Sequence, residues 1–264
     1  PSPTTFKLGY YDAKPSCYRD ESGKPAGIFV EVMRAVARRE GWRVEYEYRT
    51  WDGLLEGLRD GSIDVVPAIV RTRQREAFAD FTEHSIFLDW GTVFSSPGHE
   101  PDTLLSLDGK TVGALENDFW FSGEGSFRDI CASFRITPRY RYFSSYPSLF
   151  SALAKGEVDA AVASNTIGLD WGVQRPIVAT SIIYNPVELR FACSRAVAAG
   201  AGLASRLDAS IAAIETESPQ FIPALVERYK VPVRHDFRPP LWLFIAMALL
   251  LLAFLALVAG LLVQ

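Results

Sequence analysis

Little in this chain supports redox, metal or nucleotide chemistry. It has only three cysteines, Cys17, Cys131 and Cys193, far apart and without a C-x-x-C pair. A zinc site needs closely spaced Cys or His ligands, so this spacing argues against one. An oxidising compartment would permit one disulfide and leave a thiol over; the plainer reading is three buried small apolar side chains. Histidine is equally scarce, at three residues. No G-x-S-x-G, H-E-x-x-H, G-x-x-x-x-G-K or G-x-G-x-x-G occurs, so the common signatures of serine hydrolases, zinc proteases, P-loop NTPases and dinucleotide enzymes are missing. Basic residues form no run and the net charge is -4, which leaves nucleic acid without an electrostatic footprint. No cofactor, no metal and no catalytic residue is expected.

Charge is also absent from one long stretch. Leu241 to Val263 is 23 residues without a charged side chain. As a helix it would reach about 34 Å, enough to cross a hydrocarbon core of about 30 Å. Pro239 and Pro240 precede it, Trp242 sits at interfacial depth, and Arg234 and Arg238 lie on its N-terminal side. The sequence predicts a C-terminal transmembrane helix over 241–263, preceded by a linker over 231–240. The chain opens at Pro1 rather than Met, as it would after removal of a leader or after trimming of a longer chain.

What remains is rich in core material, with 48% hydrophobic residues. The pattern alternates strands and helices. Strands are expected over 5–10, 43–48 and 63–69, with helices over 28–39 and 51–59. A second set follows, with strands over 111–115, 137–142 and 158–163 and helices over 119–134 and 146–154. A returning strand over 187–194, a helix over 197–217 and a last helix to about Tyr229 complete it. Repeated β-α-β units predict an α/β fold with mostly parallel sheets.

The two sets share a frame. Trp51-x-x-Leu-Leu-Glu-Gly-Leu-Arg-Asp-Gly-Ser-Ile-Asp-Val-Val is echoed by Tyr146-x-x-Leu-Phe-Ser-Ala-Leu-Ala-Lys-Gly-Glu-Val-Asp-Ala-Ala. Leu58, Gly61 and Asp64 match Leu153, Gly156 and Asp159 at the same offsets, and each aromatic lies thirteen residues before its Asp. Each frame reads as a helix ended by a glycine that turns into a buried strand.

Three ordered motifs then carry a resemblance: Pro15–Gly23 with Gly27-Ile28, the Trp51 frame, and Thr72-Arg73-Gln74-Arg75 followed by Phe81-Thr82. Over 8–94 the chain resembles the type II periplasmic solute-binding fold, family 3 (amino-acid type), and the likeness extends across roughly 5–230. The resemblance implies a two-lobed Venus-flytrap. One lobe would be 1–92 plus 188–230 and the other 96–184, joined by hinge strands near 91–95 and 188–194, with ligand in the cleft.

In that frame Arg75 would fork a ligand carboxylate with its planar donors, and Trp51 would stack on the ligand. Tyr10 and Tyr11 would end the first strand at the cleft edge. Asn117, Asp118 and Phe119 would open the second lobe's first helix, and Ser164 and Asn165 would follow its last strand. The chain departs from the family pattern in carrying Ala68 and Val70 where small hydroxyl residues are usual, Ser164 where an Asp for the ligand ammonium is common, and Asn117-Asp118-Phe119 where a Gly-Ser-Thr-like turn cups the carboxylate. With the apolar run at 241–263, these departures resemble the sensor versions of the module that precede a histidine kinase or diguanylate cyclase. The expected role is an extracytoplasmic sensor of a small carboxylate-bearing solute, amino-acid-like or an organic acid. Residues 1–238 would lie outside the inner membrane of a bacterial cell, with one crossing into the bilayer and a homodimer as a natural assembly. The alternative is a membrane-anchored binding protein of an ABC-type transporter. A dehydratase-like enzyme on this fold would need an acid such as Glu116.

Overall fold

A computed structural model of the chain describes residues 4–115, 117–196 and 202–229. The linker and helix expected over 231–263, and Glu116, lie outside the described residues. Among the described residues no helix is long and apolar enough to cross a membrane.

The first lobe begins with β1 (Thr5–Tyr10), a hairpin of β2 (Tyr18–Arg19) and β3 (Pro25–Ala26), α1 (Ile28–Glu40), β4 (Arg43–Tyr48), α2 (Trp51–Asp60) and β5 (Val65–Val70). β1 runs parallel to β4 from Thr5↔Arg43 to Tyr10↔Tyr48, and parallel to β5 at Leu8↔Val65. β5 is buried along its whole length, as a central strand covered on both faces must be. α1 turns Ile28, Phe29, Val32, Met33 and Val36 inward, the i, i+4 spacing that makes its buried stripe. The chain continues through α3 (Arg73–Glu76) and β6 (Ala79–Phe81) into β7 (Phe87–Ser95).

The second lobe repeats the plan. After a 3-10 turn over Leu104–Leu107 come β8 (Thr111–Leu115), α4 (Phe119–Ser122), α5 (Phe127–Ser133), β9 (Arg139–Phe143), α6 (Tyr146–Ala154), β10 (Ala160–Ser164) and α7 (Asn165–Gln174). β8 is parallel to both β9 and β10. The single helix expected over 119–134 is two short ones. Gly125 sits at φ 68, which breaks the helical path, and the Ser126 hydroxyl accepts from the Asp129 amide to start a new helix.

The return strand is longer than its sequence pattern suggested. β11 (Val178–Ser194) pairs antiparallel with β7, β5 and β6 in turn. The strand order is β4-β1-β5-β11-β7-β10-β8-β9, with β6 also on β11. The expected strand began at Val187, just after Pro186. The chain instead passes it with a shift in register between Tyr184 and Val187 against β7, with Asn185 at φ 49; such a bulge absorbs a residue that cannot donate. Phe87–Asp89 of β7 pair with Leu189–Val187 of β11, whereas Gly91–Phe94 pair with β10. α8 (Leu203–Glu217) and α9 (Phe221–Tyr229) then pack on α1. The three cysteines are buried free thiols.

The echoed frames occupy matching places. Thr50 caps α2 just before Trp51, and Ser145 caps α6 just before Tyr146. Gly61 and Gly156 both turn at positive φ, 77 and 72. Asp64 accepts from the Lys7 amide and Asp159 from the Thr111 amide, each at 2.7 Å. Gly9 on β1 and Gly113 on β8 let the helices approach, since a Cβ there would meet Leu54 at 2.5 Å and Leu149 at 2.6 Å.

Candidate ligand-binding site

The carboxyl ends of β1, β5, β8 and β10 converge on a cavity of about 40 Å3. That is the usual ligand position in an open α/β sheet. The first lobe supplies Tyr11 just past β1, Trp51 at the start of α2, Ala68 and Val70 from β5, and Arg75 from α3. The second supplies Leu115, Asp118, Phe119 and Trp120 around the start of α4, Tyr146 at the start of α6, and Ser164 at the end of β10. Asp89 enters from β7, the strand that runs between the lobes.

Arg75 is 8% exposed. Thr72 caps α3 by accepting the Arg75 amide, which turns the side chain into the cavity wall. Its Nη1 donates to the Val70 carbonyl at 2.9 Å, and the guanidinium lies 5.2 Å from the Trp51 ring. Nε and Nη2 make no hydrogen bond to the described residues. Burial lowers its pKa to about 10, so it stays charged at neutral pH.

Asp118 faces it from the other lobe, 7% exposed. It caps α4, accepting from the Trp120 amide at 3.3 Å, and takes the Tyr146 hydroxyl at 2.7 Å. Burial pushes its carboxyl up to about 6, although Tyr146, the Trp120 amide and the Arg75 charge all pull the other way. Burial also raises the Tyr11 and Tyr146 phenols well above their ordinary range, so both remain protonated donors.

Asp89 is 1% exposed. The hydroxyls of Ser164 and Thr166 donate to its Oδ2 at 2.5 and 2.6 Å. The amides of Trp90 and Thr166 donate to Oδ1 at 2.9 and 3.4 Å. Burial raises its pKa and these donors oppose the rise.

The site residues expected from sequence divide. Trp51, Tyr11, Val70, Arg75, Asp118, Phe119 and Ser164 line one cavity. Tyr10 does not: it is buried edge-on against Tyr46 and Tyr48. Asn165 lies behind the wall, its Oδ1 accepting from Thr92 at 3.2 Å. Asn117 is exposed at the mouth, where its carbonyl takes the Trp51 indole N–H at 3.2 Å and its amide donates to Asp52 at 3.0 Å. Elsewhere between the lobes Lys14 pairs with Asp170 at 2.9 Å. Three polar residues were missed, Ser16, Asp89 and Tyr146. Tyr146 had a signal, since it echoes Trp51; Asp89 was a lone acid in the apolar run Phe87–Ser95. Among the described residues no group of three His, Cys, Asp or Glu side chains could hold a metal.

Buried ionisable side chains of opposite sign, Arg75 and Asp118, thus stand on opposing walls of the cavity, the kind of lining that suits a polar small molecule. Comparison with known proteins agrees with the fold. Residues 7–103 match the family model for bacterial extracellular solute-binding proteins, family 3, and the chain carries the two-lobed α/β fold of periplasmic binding proteins. It is 25% identical over 183 residues to the probable amino-acid-binding protein YxeM of Bacillus subtilis (strain 168), covering 67% of each chain. An ancestral arginine-binding protein bound to arginine superposes with a TM-score of 0.73 at 20% identity, covering 86% of this chain and 98% of that one. A histidine kinase sensor domain with similarity to periplasmic binding proteins does so with 0.71 at 22% identity, covering 87% and 96%. The chain spans between about a third and two thirds of the curated relatives that it matches over more than half its own length.

Proposed function

We propose that this chain is the extracytoplasmic sensing part of a membrane-bound receptor, and that it takes an amino-acid-like solute into the cleft between its lobes. The observation that carries this reading is the pair Arg75 and Asp118. Both are more than nine-tenths buried, on opposite walls of the same cavity. A ligand carboxylate on the free Arg75 donors and an ammonium on Asp118 would satisfy both. Tyr11, Trp51, Val70, Phe119 and Ser164 would form the remaining walls, and Asn117 a mouth contact rather than a floor. A cavity of about 40 Å3 holds only a few water-sized groups, so entry requires the lobes to part and close again. Closure of this kind is driven by tighter binding to the closed form. The uncharged run 241–263 would anchor the module and carry the motion inward, with residues 1–238 outside the inner membrane. No step of catalysis is assigned to the cleft.

The test is thermal unfolding of the chain against amino acids and dicarboxylates, with Arg75→Ala alongside. A ligand at about 100 times its Kd should add roughly 2.7 kcal/mol. A carboxylate-bearing compound that stabilises the parent and not Arg75→Ala supports the fork; stabilisation indifferent to Arg75 rejects it. The likeness to YxeM favours a second reading, a membrane-anchored binding protein that feeds a transporter. Solute uptake into vesicles that depends on this chain would establish that role in place of the receptor.

A further inference from the structure

The buried acids of the cleft differ in what they have left to offer. A carboxylate has about four acceptor positions. Asp89 has filled its own with two hydroxyls and two amides. Asp118 has used one position on each oxygen, for the Trp120 amide and the Tyr146 hydroxyl, so each oxygen can accept once more. On the opposite wall the unused capacity is of the other kind: Nε and Nη2 of Arg75 have hydrogens to give and no partner among the described residues. Among the described residues the cavity thus has one free acceptor group and one free donor group, each carried by a buried, charged side chain.

The charges do not balance. Four donors around Asp89 are the complement of an ionised carboxylate. With Asp118 ionised as well, two negative charges face the single positive charge of Arg75. Most of the remaining wall is apolar or aromatic, including the rings of Trp51, Phe119, Trp120 and Tyr146. Such walls screen little, so an unmatched charge there is costly, and their faces favour a cation. Asp118 also takes for itself the Trp120 amide at the start of α4, an amide that could otherwise serve an anion.

We infer that Asp118 is the specificity-determining residue of the cleft, that it makes the second lobe's wall a subsite for a cationic group, and that the pocket takes a solute of net positive charge that also carries a carboxylate, a basic amino acid, over neutral amino acids, amines without a carboxylate and dicarboxylates. This rests on the reading of the cleft as a small-molecule site and adds the charge of the ligand to it.

The test ranks four probes by thermal unfolding of the full chain in detergent at neutral pH: arginine, putrescine, glutamine and succinate. Arginine should stabilise the parent most, putrescine less for want of an acceptor for Arg75, and succinate not at all. Asp118→Asn should weaken the preferred cationic probe by at least about tenfold. Succinate or glutamine stabilising the parent as well as arginine would overturn the inference while leaving the cleft a ligand site. Full affinity of Asp118→Asn for the cation would overturn it in the same way. No shift with any probe would overturn both readings. Should Asp118→Asn fail to fold, the parent's ranking by charge decides alone.

Discussion

The two lobes are built on one frame and furnished differently. In each, a capped helix starts with an aromatic at the cavity, Trp51 or Tyr146, and runs down over a glycine, Gly9 or Gly113. It then turns at a positive-φ glycine into a strand whose preceding Asp accepts a backbone amide from the neighbouring strand, Asp64 from Lys7 and Asp159 from Thr111. The packing is shared down to Leu54 and Leu149, both fully buried. The site chemistry is not. After β5 the first lobe turns into α3 and presents Arg75; after β10 the second runs directly into α7, and its ionisable wall group, Asp118, comes from the start of α4. The scaffold holds two helix starts at the cleft, and the loops that follow decide which charge stands there.

The comparison is broken most severely in the shared packing. Leu54→Ala and Leu149→Ala should each cost about 2–5 kcal/mol, by similar amounts if the frames are equivalent; denaturant unfolding of both variants measures it. A large inequality would mean that the echo is one of outline rather than of packing.

Next comes the contrast between the two charges. Arg75, at about 10, stays charged across the neutral range, whereas Asp118, at about 6 against an ordinary 3.8, titrates. The groups facing Asp118 are Arg75, Tyr146 and Asp89, with Tyr184 also within its field. Because its folded value is raised, the folded state holds a proton that the unfolded state gives up between about pH 4 and pH 6. The stability it contributes is therefore full below that window and lost as pH rises through it, by roughly 3 kcal/mol at about 1.4 kcal/mol per unit. Asp118→Asn should remove this fall and be more stable than the ligand-free parent at neutral pH. Calorimetry of both proteins across the window checks it; parallel pH profiles would refute the buried, raised carboxyl.

The smallest effect is at an ion pair that joins the two lobes. Lys14 is 43% exposed in its ion pair with Asp170, so Lys14→Ala should cost only about 0.2–1 kcal/mol and less in high salt. Melting at low and high ionic strength measures it. A salt-independent loss would mean that Lys14 acts through packing instead.

Much of this frame was legible because its signals are local. α2 and α6 begin at the positions that the apolar spacing indicated, and α6 spans Tyr146–Ala154 as expected. α7 was invisible because Ser164 is both the last residue of β10 and the cap of the helix, leaving no polar break between them. β11 was cut short at Pro186, where a bulge carries the strand on. In the site, Arg75 and Trp51 stood in recognisable motifs. Asp89 could not be read, since its partners Ser164 and Thr166 lie 75 and 77 residues away and only the folded chain brings their hydroxyls to it.

The long return strand has a consequence for how the protein is made. β5 and β6 lie against Leu189–Ser194 of β11, which the ribosome synthesises only after the whole second lobe. At about 5–20 residues per second, the first lobe waits on the order of ten seconds with a strand position open, while the second, whose β8, β9 and β10 are contiguous in the chain, is free to assemble. The lobe translated first is the one finished last, and its strand edge on β5 stays open throughout that interval.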